Sequence, residues 1–540
     1  MRWLRCGRQW LCLGFCAAFV AAGCARHNLD AEPFDAGPGT VAVGDAAAVN
    51  TTVGPAPSPD ASTTATPDAS SDAGNTGVCV PPSSPSWRLV APVSGSTVTS
   101  ARPVLRWKGT SAVTEIQICR DRDCTMKYVV LAGQGSETRP SWDLPPGYWF
   151  WRARPAGGDD FSWTQTWLFR VRRRAPGYAP LAITAVEPFS DYNGDGYPDF
   201  AISDTTTTTV YLGGADGIDD DRVLRVETAG VYSSALGFRE PGADVNGDGF
   251  TDFGSKRDIA VPGQNWPTRI ALIQFGGSGG FVGFNAIVEV LTQYYPLWVG
   301  EPMGLGDFDG DGYGDLIMTM RYGGAMLRGC APAPAQSPWG FFGCGDCQLQ
   351  QVATGDFDGD GRSDVIFADG SSINVYPGNS AAISAVRVPG STGVTVIDFN
   401  YDGYSDLVVR RGWPTVTLEP HEGGPGGLSY GMSSLPQPSD FWAVGDFDGD
   451  GYWDTIEPNC PDCRPPTMWV RYGVPEGWGA PRPRTTAMDA SLPGLQTAVV
   501  DLNADGYDDL LVAGPGDGAT SWYAGSPAGL ADVPTRIVRR

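Results

Sequence analysis

Seven ten-residue segments of the chain carry acidic or amide side chains at alternate positions: DYNGDGYPDF (191–200), DVNGDGFTDF (244–253), DFDGDGYGDL (307–316), DFDGDGRSDV (356–365), DFNYDGYSDL (398–407), DFDGDGYWDT (446–455) and DLNADGYDDL (501–510). Their chemistry is that of a hard divalent cation. Ca2+ takes about six to eight oxygen ligands, and alternate side chains on a tightly curled loop can supply them. The candidate side-chain ligands at positions 1, 3, 5 and 9 are Asp191, Asn193, Asp195 and Asp199 in the first loop, then Asp244, Asn246, Asp248 and Asp252 in the second. The third and fourth loops offer Asp307, Asp309, Asp311 and Asp315, and Asp356, Asp358, Asp360 and Asp364. The last three offer Asp398, Asn400, Asp402 and Asp406, then Asp446, Asp448, Asp450 and Asp454, then Asp501, Asn503, Asp505 and Asp509. Position 7 would add its backbone carbonyl, from Tyr197, Phe250, Tyr313, Arg362, Tyr404, Tyr452 and Tyr507. Position 6 is Gly in every copy, which allows positive φ and hence the sharp turn.

The copies differ in the charge they gather. The 307, 356 and 446 loops have Asp at all four side-chain positions and are expected to bind most tightly. The 398 and 501 loops place Tyr401 and Ala504 where glycine is usual at position 4 and have Asn at position 3, so they are the expected weaker sites. Together the seven loops hold 24 aspartates at these positions. Two carboxylates about 5 Å apart repel by about 3 kcal/mol at an effective dielectric of about 20. Metal-free loops should therefore be strained, and seven Ca2+ would take the formal net charge from −24 to −10. The simplest role for the ions is structural. A sharper one is that a single loop presents an open coordination position to a ligand.

Strands must position these loops. Leu316-Ile317-Met318, Val365-Ile366-Phe367 and Leu407-Val408-Val409 follow them, and Thr395-Val396-Ile397 and Trp442-Ala443-Val444 precede them. A third run often closes on Gly, as in Val210-Tyr211-Leu212-Gly213, Val375-Tyr376-Pro377-Gly378, Val470-Arg471-Tyr472-Gly473 and Trp522-Tyr523-Ala524-Gly525. Such β-branched and aromatic runs read as strands. The opening of each loop resembles an EF-hand loop. The twelfth position, however, is Ile202 in the first copy and Met318 in the third, and the flanks are not helical, which excludes EF-hands.

The spacings of 53, 63, 49, 42, 48 and 55 residues mark an internal repeat. Strand, acidic loop, strand, strand-Gly at this period resembles the FG-GAP/VCBS repeats of integrin alpha-chain N-terminal domains, over about 181–540. The resemblance implies one four-stranded β-propeller blade per repeat, with Ca2+ in the loop between the first two strands. Seven repeats then imply seven blades and up to seven ions.

The rest of the chain divides into three segments. Arg2, Arg5 and Arg8 precede an apolar run from Trp10 to Gly23, which is too short to span a ~30 Å hydrocarbon core and reads as a signal peptide over 1–23. Ala21-Ala22-Gly23-Cys24 resembles a bacterial lipoprotein box with Ala in place of the usual Leu, which implies lipidation at Cys24. The Ala-, Pro-, Ser-, Thr-, Asp- and Gly-rich stretch to residue 85 cannot bury enough surface to offset its ordering entropy, and reads as a disordered tether. From 86 to 175 apolar residues alternate. The strand-like runs Val104-Leu105-Arg106-Trp107, Glu115-Ile116-Gln117-Ile118 and Tyr148-Trp149-Phe150-Trp151-Arg152, with Ser162-Trp163-Thr164, resemble a bacterial fibronectin type III-like domain, implying a seven-strand sandwich.

Eight of the twelve cysteines lie beyond the leader, and in an exported chain disulfides are the default. Cys119 and Cys124 are expected to pair across a hairpin, and Cys344 with Cys347 and Cys460 with Cys463 locally, rather than to hold zinc; Cys79 and Cys330 have no evident partner. Nine tryptophans lie in the repeat region, with inter-blade packing the plainer reading and exposed stacking on sugars the alternative. His421, in EPHEGGPGG, reads as a solvated loop residue rather than a base.

The fold class expected is thus all-β: a seven-bladed β-propeller preceded by a fibronectin type III-like β-sandwich and a disordered N-terminal tether. With 37 Lys+Arg against 61 Asp+Glu and no basic stripe, nucleic acid is not an expected partner. There is no nucleophile elbow, no HExxH and no phosphate-cradling loop. The leading expectation is a monomeric, non-catalytic, Ca2+-stabilised binding or adhesion protein on the bacterial envelope. It would touch the membrane only through its lipid and recognise a polysaccharide or protein with the propeller's loop-rich face. A polysaccharide-active lyase or hydrolase is the alternative, and a purely structural surface protein a third reading.

Overall fold

The computed structural model describes residues 87–109, 111–176, 186–203, 207–218, 221–227, 237–238, 243–259, 268–287, 299–320, 323–331, 340–343, 351–368, 373–378, 384–386, 391–411, 417–429, 443–458, 467–475, 477–480, 482–485, 496–513 and 519–539. The leader, Cys24 and the expected tether lie outside these residues, as do Cys79, Cys344, Cys347, Cys460 and Cys463.

The architecture is all-β. Nine strands open it: β1 (Arg88–Ala91), β2 (Ser96–Val98), β3 (Leu105–Lys108), β4 (Val113–Cys119), β5 (Lys127–Gln134), β6 (Glu137–Thr138), β7 (Gly147–Pro155), β8 (Trp167–Val171) and β9 (Val186–Pro188). They pair in the order β1-β3-β6-β5-β4-β7-β8-β2-β9, antiparallel except for β2 with β8. Alternation puts Ile116 and Ile118, Trp149 and Trp151, and Trp167 and Phe169 on one face, and the sheet curls until Leu89, Leu105 and Trp107 close the same core. Gly133 is required there, because a Cβ would collide with the Trp107 indole. The two halves face one another across this core. β6 is only two residues long, yet it bonds β3 on one side and β5 on the other, joining both halves into one sheet.

Eight antiparallel sheets follow among the described residues: one for each acidic loop, and a two-stranded pair of Gly473–Val474 with Gly477–Trp478. The 356 loop, for example, joins Gln351–Gly355 to Asp364–Ala368, which pairs in turn with Ile373–Tyr376 and then Ser384–Val386. The first repeat departs from this plan: the strand before its loop is β9, which pairs with β2 instead of with Phe200–Ser203.

Each junction between sheets has its own apolar cluster. Tyr192 and Val210 meet Phe253; Val245 and Ile273 meet Leu316; Phe308 and Ile317 meet Phe367. Phe357 and Ile366 meet Val409; Phe399 and Val408 meet Trp453; Phe447 and Val470 meet Tyr523. The last cluster joins Phe200 and Tyr211 of the first loop-bearing sheet to Leu502 and Trp522 of the seventh, so the series closes into a ring. A backbone bond repeats the message. Gly277, Gly424 and Ser526 each donate to the position-2 carbonyl of the preceding loop, and Gly214 of the first sheet donates to Leu502 of the last, at 3.2 Å. Radial sheets closed on themselves in this way are the β-propeller architecture. Among the described residues no helix is long and apolar enough to cross a membrane.

Candidate metal centres

The seven loops share one internal wiring. The carboxylate at position 1 accepts the N–H of the position-6 glycine in every copy, at 2.8–3.1 Å. Position 3 accepts the position-5 N–H, and position 5 accepts the position-7 N–H, each with one oxygen, as in Asp309 to Asp311 and Asp311 to Tyr313. These bonds curl the loop, and the curl requires positive φ: 85–96° at the position-6 glycines. Position 4 is left-handed in all seven copies as well, including Tyr401 (61°) and Ala504 (55°), where a side chain makes that conformation costly.

Position 9 has a second task. Its Oδ2 accepts the position-2 N–H at 2.7–3.0 Å. Its Oδ1 accepts the N–H of the glycine closing the third strand, Gly213 through Gly525, at 2.6–2.9 Å. The carboxylate thus staples the loop entrance to its own sheet, and its Oδ1 keeps one lone pair for a cation, whereas Oδ2 of Asp315 and of Asp406 accepts a second N–H, from Asp309 and Asn400. Sequence reasoning saw the aspartate and the closing glycine but not the bond between them.

Two further positions were missed. The apolar residue at position 2 (Tyr192, Val245, Phe308, Phe357, Phe399, Phe447, Leu502) fills the junction to the next sheet. Position 8 reaches back to the preceding loop: the N–H groups of Thr251, Gly314, Ser363, Ser405 and Asp508 donate to the carbonyls of Asp191, Asp244, Asp307, Asp356 and Asp446. The side chains of Thr251, Ser405 and Asp508 return the bond, accepting the N–H of Asp191, Asp356 and Asp446. Hydroxyl and acidic residues recurring at position 8 were the available signal.

The donor groups fit a hard cation. Asp307, Asp309 and Asp311 have carboxylate oxygens within 4.8 Å of one another, as do Asp356, Asp358 and Asp360, and Asp446, Asp448 and Asp454. These are the three four-aspartate loops. Burial, followed by neighbouring carboxylates, raises Asp307 and Asp356 to about 8 and Asp446 to about 7. Burial likewise raises Asp191 to about 7, with Arg122 opposing it. Asp244, Asp252 and Asp315 also stand well above the usual carboxylate value, for burial first and charge crowding second. The buried Oδ1 atoms of Asp191 and Asp446 have no hydrogen-bond donor within the protein. Buried carboxylates held by backbone N–H groups alone call for a positive charge among them.

At position 7 the side chains reach the preceding loop. The rings of Phe250, Tyr313 and Tyr507 lie over the position-4 glycines Gly194, Gly247 and Gly449 of the preceding loop, and Arg362 lies over Gly310. In the fifth loop Tyr401 instead meets Tyr452 edge-on at 5.8 Å. Position 12 is acidic in one copy, Glu457 of the 446 loop, so that position alone does not exclude an EF-hand. Glu457 forks onto Arg471 at 2.6 and 3.0 Å, however, and the flanks are strands.

The loops are not an open face. The domain that β1–β8 build lies across them. Arg122 donates to the carbonyls of Gly194 and Gly249 at 2.6 and 2.9 Å, with its guanidinium 4.2 Å over the Phe250 ring. Ser94 and Thr99 donate to Gly249 and Gly403, Trp167 to Gly247, and Arg106 to Asp360. Leu89 and Val90 abut Gly312, while Arg174 and Ala175 abut Gly451. Arg170 bridges Asp508 at 2.7 Å and Asp501 at 3.4 Å. Burial alone would raise Asp508, yet Arg170 and Arg172 hold it below the ordinary value. This domain thus touches every acidic loop, leaving Asp195, Asp360 and Asp505 exposed.

Other expectations resolve individually. Cys119 and Cys124 are disulfide-bonded across the hairpin that carries Arg122, and Cys330 is disulfide-bonded too. Trp453 and Trp522 are buried in junction clusters, as the packing reading held. His421 is buried, not solvated. Its strand, Thr417–His421, continues up to it and ends before the glycines begin, pairs it with Leu407 on the core side, and leaves its Nε2 3.5 Å from Glu419.

Comparison with known proteins adds a family name for one repeat. The FG-GAP-like repeat family matches residues 356–409. No curated protein matches the chain. Among solved structures, the chain is similar to a rhamnogalacturonan lyase of Bacillus licheniformis (10% identity, TM-score 0.33, covering 81% of this chain and 85% of that one). It is also similar to an Agrocybe aegerita lectin that recognises non-reducing terminal N-acetylglucosamine (13%, 0.35, 63% and 91%). A third is the Tc holotoxin pore of Photorhabdus luminescens (15%, 0.29, 77% and 23%). At these TM-scores none of the three bears on chemistry.

Proposed function

We propose that the protein is a non-catalytic, calcium-stabilised binding or adhesion protein. Its seven loop-bearing sheets are the blades of one propeller with up to seven Ca2+, one in each acidic loop. Asp, Asn and position-7 carbonyl oxygens hold the ions, and Cys24 carries the lipid that anchors the chain to a bacterial envelope. What supports the reading is the sevenfold recurrence of one all-oxygen donor group in a closed ring, with buried carboxylate oxygens at Asp191 and Asp446 that lack any protein donor. Calcium here supplies charge neutralisation and coordination. The chain's own residues curl the loop (position 6), staple it to its sheet (position 9) and lock it to its neighbour (positions 2 and 8). The ligand is a polysaccharide or an extracellular protein.

The test has two stages. Elemental analysis and terbium luminescence on the purified chain are expected to show several bound ions that EDTA removes. A glycan and protein array, run with and without EDTA and followed by product analysis on each hit, is expected to give calcium-dependent binding without turnover. Absence of bound ions, or chemical conversion of a bound glycan, overturns the reading.

A further inference from the structure

Between 87 and 176 the chain has 14 Lys+Arg against 7 Asp+Glu, while 177–540 has 19 against 47. A basic domain is therefore seated on the acidic end of an acidic ring. The bonds it makes there are informative. Arg122, Ser94, Thr99 and Trp167 all donate to backbone carbonyls of loop glycines at positions 4 and 6, while Arg170 pairs with Asp508 and Asp501, and Arg122 and Arg172 also act on the carboxylates of Asp191 and Asp508. Those carbonyls point outward only while the loop stays curled, and in the 307, 356 and 446 loops three carboxylates have oxygens within 4.8 Å of one another.

We propose that the N-terminal β-domain is a calcium-gated cap: ion binding shapes the acidic loops into the surface on which the domain docks, and loss of ions releases it. The proposal rests on the calcium reading above. An opposing effect exists, because stripping the ions makes the ring more negative and so more attractive to a basic cap. At physiological ionic strength salt removes only the part of that attraction that reaches beyond about 8 Å, so the buried Arg170 pairs keep theirs. Against it the proposal sets the hydrogen bonds to carbonyls, whose directions depend on loop shape and which are lost when the loop uncurls. Linkage then requires reciprocity: if ions favour docking, docking favours ions by the same factor. Arg122 is the sharpest probe. It reaches two loops at once from the turn closed by the Cys119–Cys124 disulfide, and its contacts are to carbonyls that water can satisfy once it is gone.

The experiment uses the full mature chain below the melting temperature of its chelated form, with secondary structure checked by circular dichroism. Hydrogen exchange is followed in peptides covering 89–98, 119–124 and 167–174, and small-angle scattering in parallel, in Ca2+ and in EGTA. Chelation is expected to speed exchange in these peptides at least about fivefold, the low end of ordinary coupling, and to enlarge the particle. In Ca2+, Arg122→Ala is expected to lower affinity about fivefold or more at two of the ion sites in calorimetric titration, which a merely local packing role would not do. Ions that bind while seam protection stays the same or increases on chelation overturn the gate and leave the calcium reading standing. Unchanged ion affinity in Arg122→Ala overturns it too. Absence of any ion binding sinks both.

Discussion

The cap and the ring solve the same problem, burying β-sheet faces, by opposite means. The cap gathers Trp107, Trp149, Trp151, Trp167 and Phe169 into one continuous core that needs no charge. The ring divides its apolar surface among seven small clusters at the junctions and surrounds them with buried carboxylates. A core of indoles is held by area removed from water, which no chelator touches. A ring wired through acidic loops adds to its apolar clusters a set of buried carboxylates whose charge needs a counterpart. The difference teaches that stability in this chain has two independent sources, one per region.

Chelation is the most forceful way to break that comparison. An ion at about one hundred times its dissociation constant contributes about 2.7 kcal/mol of stability per site. Even with incomplete occupancy, losing several sites should lower the ring's melting temperature by on the order of 10 °C or more in scanning calorimetry. The transition of the cap core should move far less. If both transitions shift equally, or neither does, the division is wrong.

Acidity should sharpen it. In the metal-free ring, burial lifts Asp307, Asp356 and Asp406 to about 8 and Asp191, Asp364, Asp446 and Asp501 to about 7. The unfolded chain releases those protons near pH 4, the folded one near 7 to 8, so between these limits the folded state binds more protons. Stability of the chelated protein must therefore fall as pH rises from about 4 to 8. With Ca2+ the ions displace the protons, and affinity must rise over the same window. Melting curves across pH in EDTA and in Ca2+ should diverge steadily. Parallel curves would mean the carboxylates are not the ring's weak point.

Much of the ring was legible in the sequence, because an acidic side chain at every second position has few other uses and the period repeats. The loops, their flanking strands, the Cys119–Cys124 pair and the buried Trp453 and Trp522 all followed from local pattern. What escaped was long-range. The bond from position 9 to the closing glycine, as in Asp509 to Gly525, spans 16 residues and leaves no local trace. The cap's seat on the loops needed the charge split between the two regions, which net charge hides. His421 was misread because glycines follow it, although the strand that carries it ends only there.

Single carboxylates should rank the loops. Asp311→Ala removes a ligand from a four-aspartate loop, where burial and Asp309 already raise its carboxyl. At about one hundredfold saturation the loss is about 2.7 kcal/mol, whereas Asp505→Ala, in a weaker loop near tenfold saturation, loses about 1.4. Calorimetry in Ca2+ should show that order, and in EDTA the two variants should converge. A reversed order would mean that aspartate count does not set affinity.

The smallest effects fall where the ring borrows the cap's means. Ala504 and Tyr401 hold left-handed backbone that costs a non-glycine residue about 1 kcal/mol. Ala504 uses its methyl against the cap cluster around Tyr148 and Phe150. Ala504→Gly therefore trades about 1 kcal/mol of strain for about 0.8 of burial, and its melting temperature should barely move. Tyr401 does more: its hydroxyl accepts the Trp453 N–H at 2.8 Å and its ring meets Tyr452. Tyr401→Gly relieves the same strain but forfeits about 0.5–1.5 kcal/mol of ring contact and leaves an N–H wanting an acceptor, about 1–3 more. It should come out destabilised by about 0.5–3.5 kcal/mol, in EDTA as well as in Ca2+, because what it loses is packing and not charge. A loss that appeared only in Ca2+ would place Tyr401 on the ion side of the comparison instead.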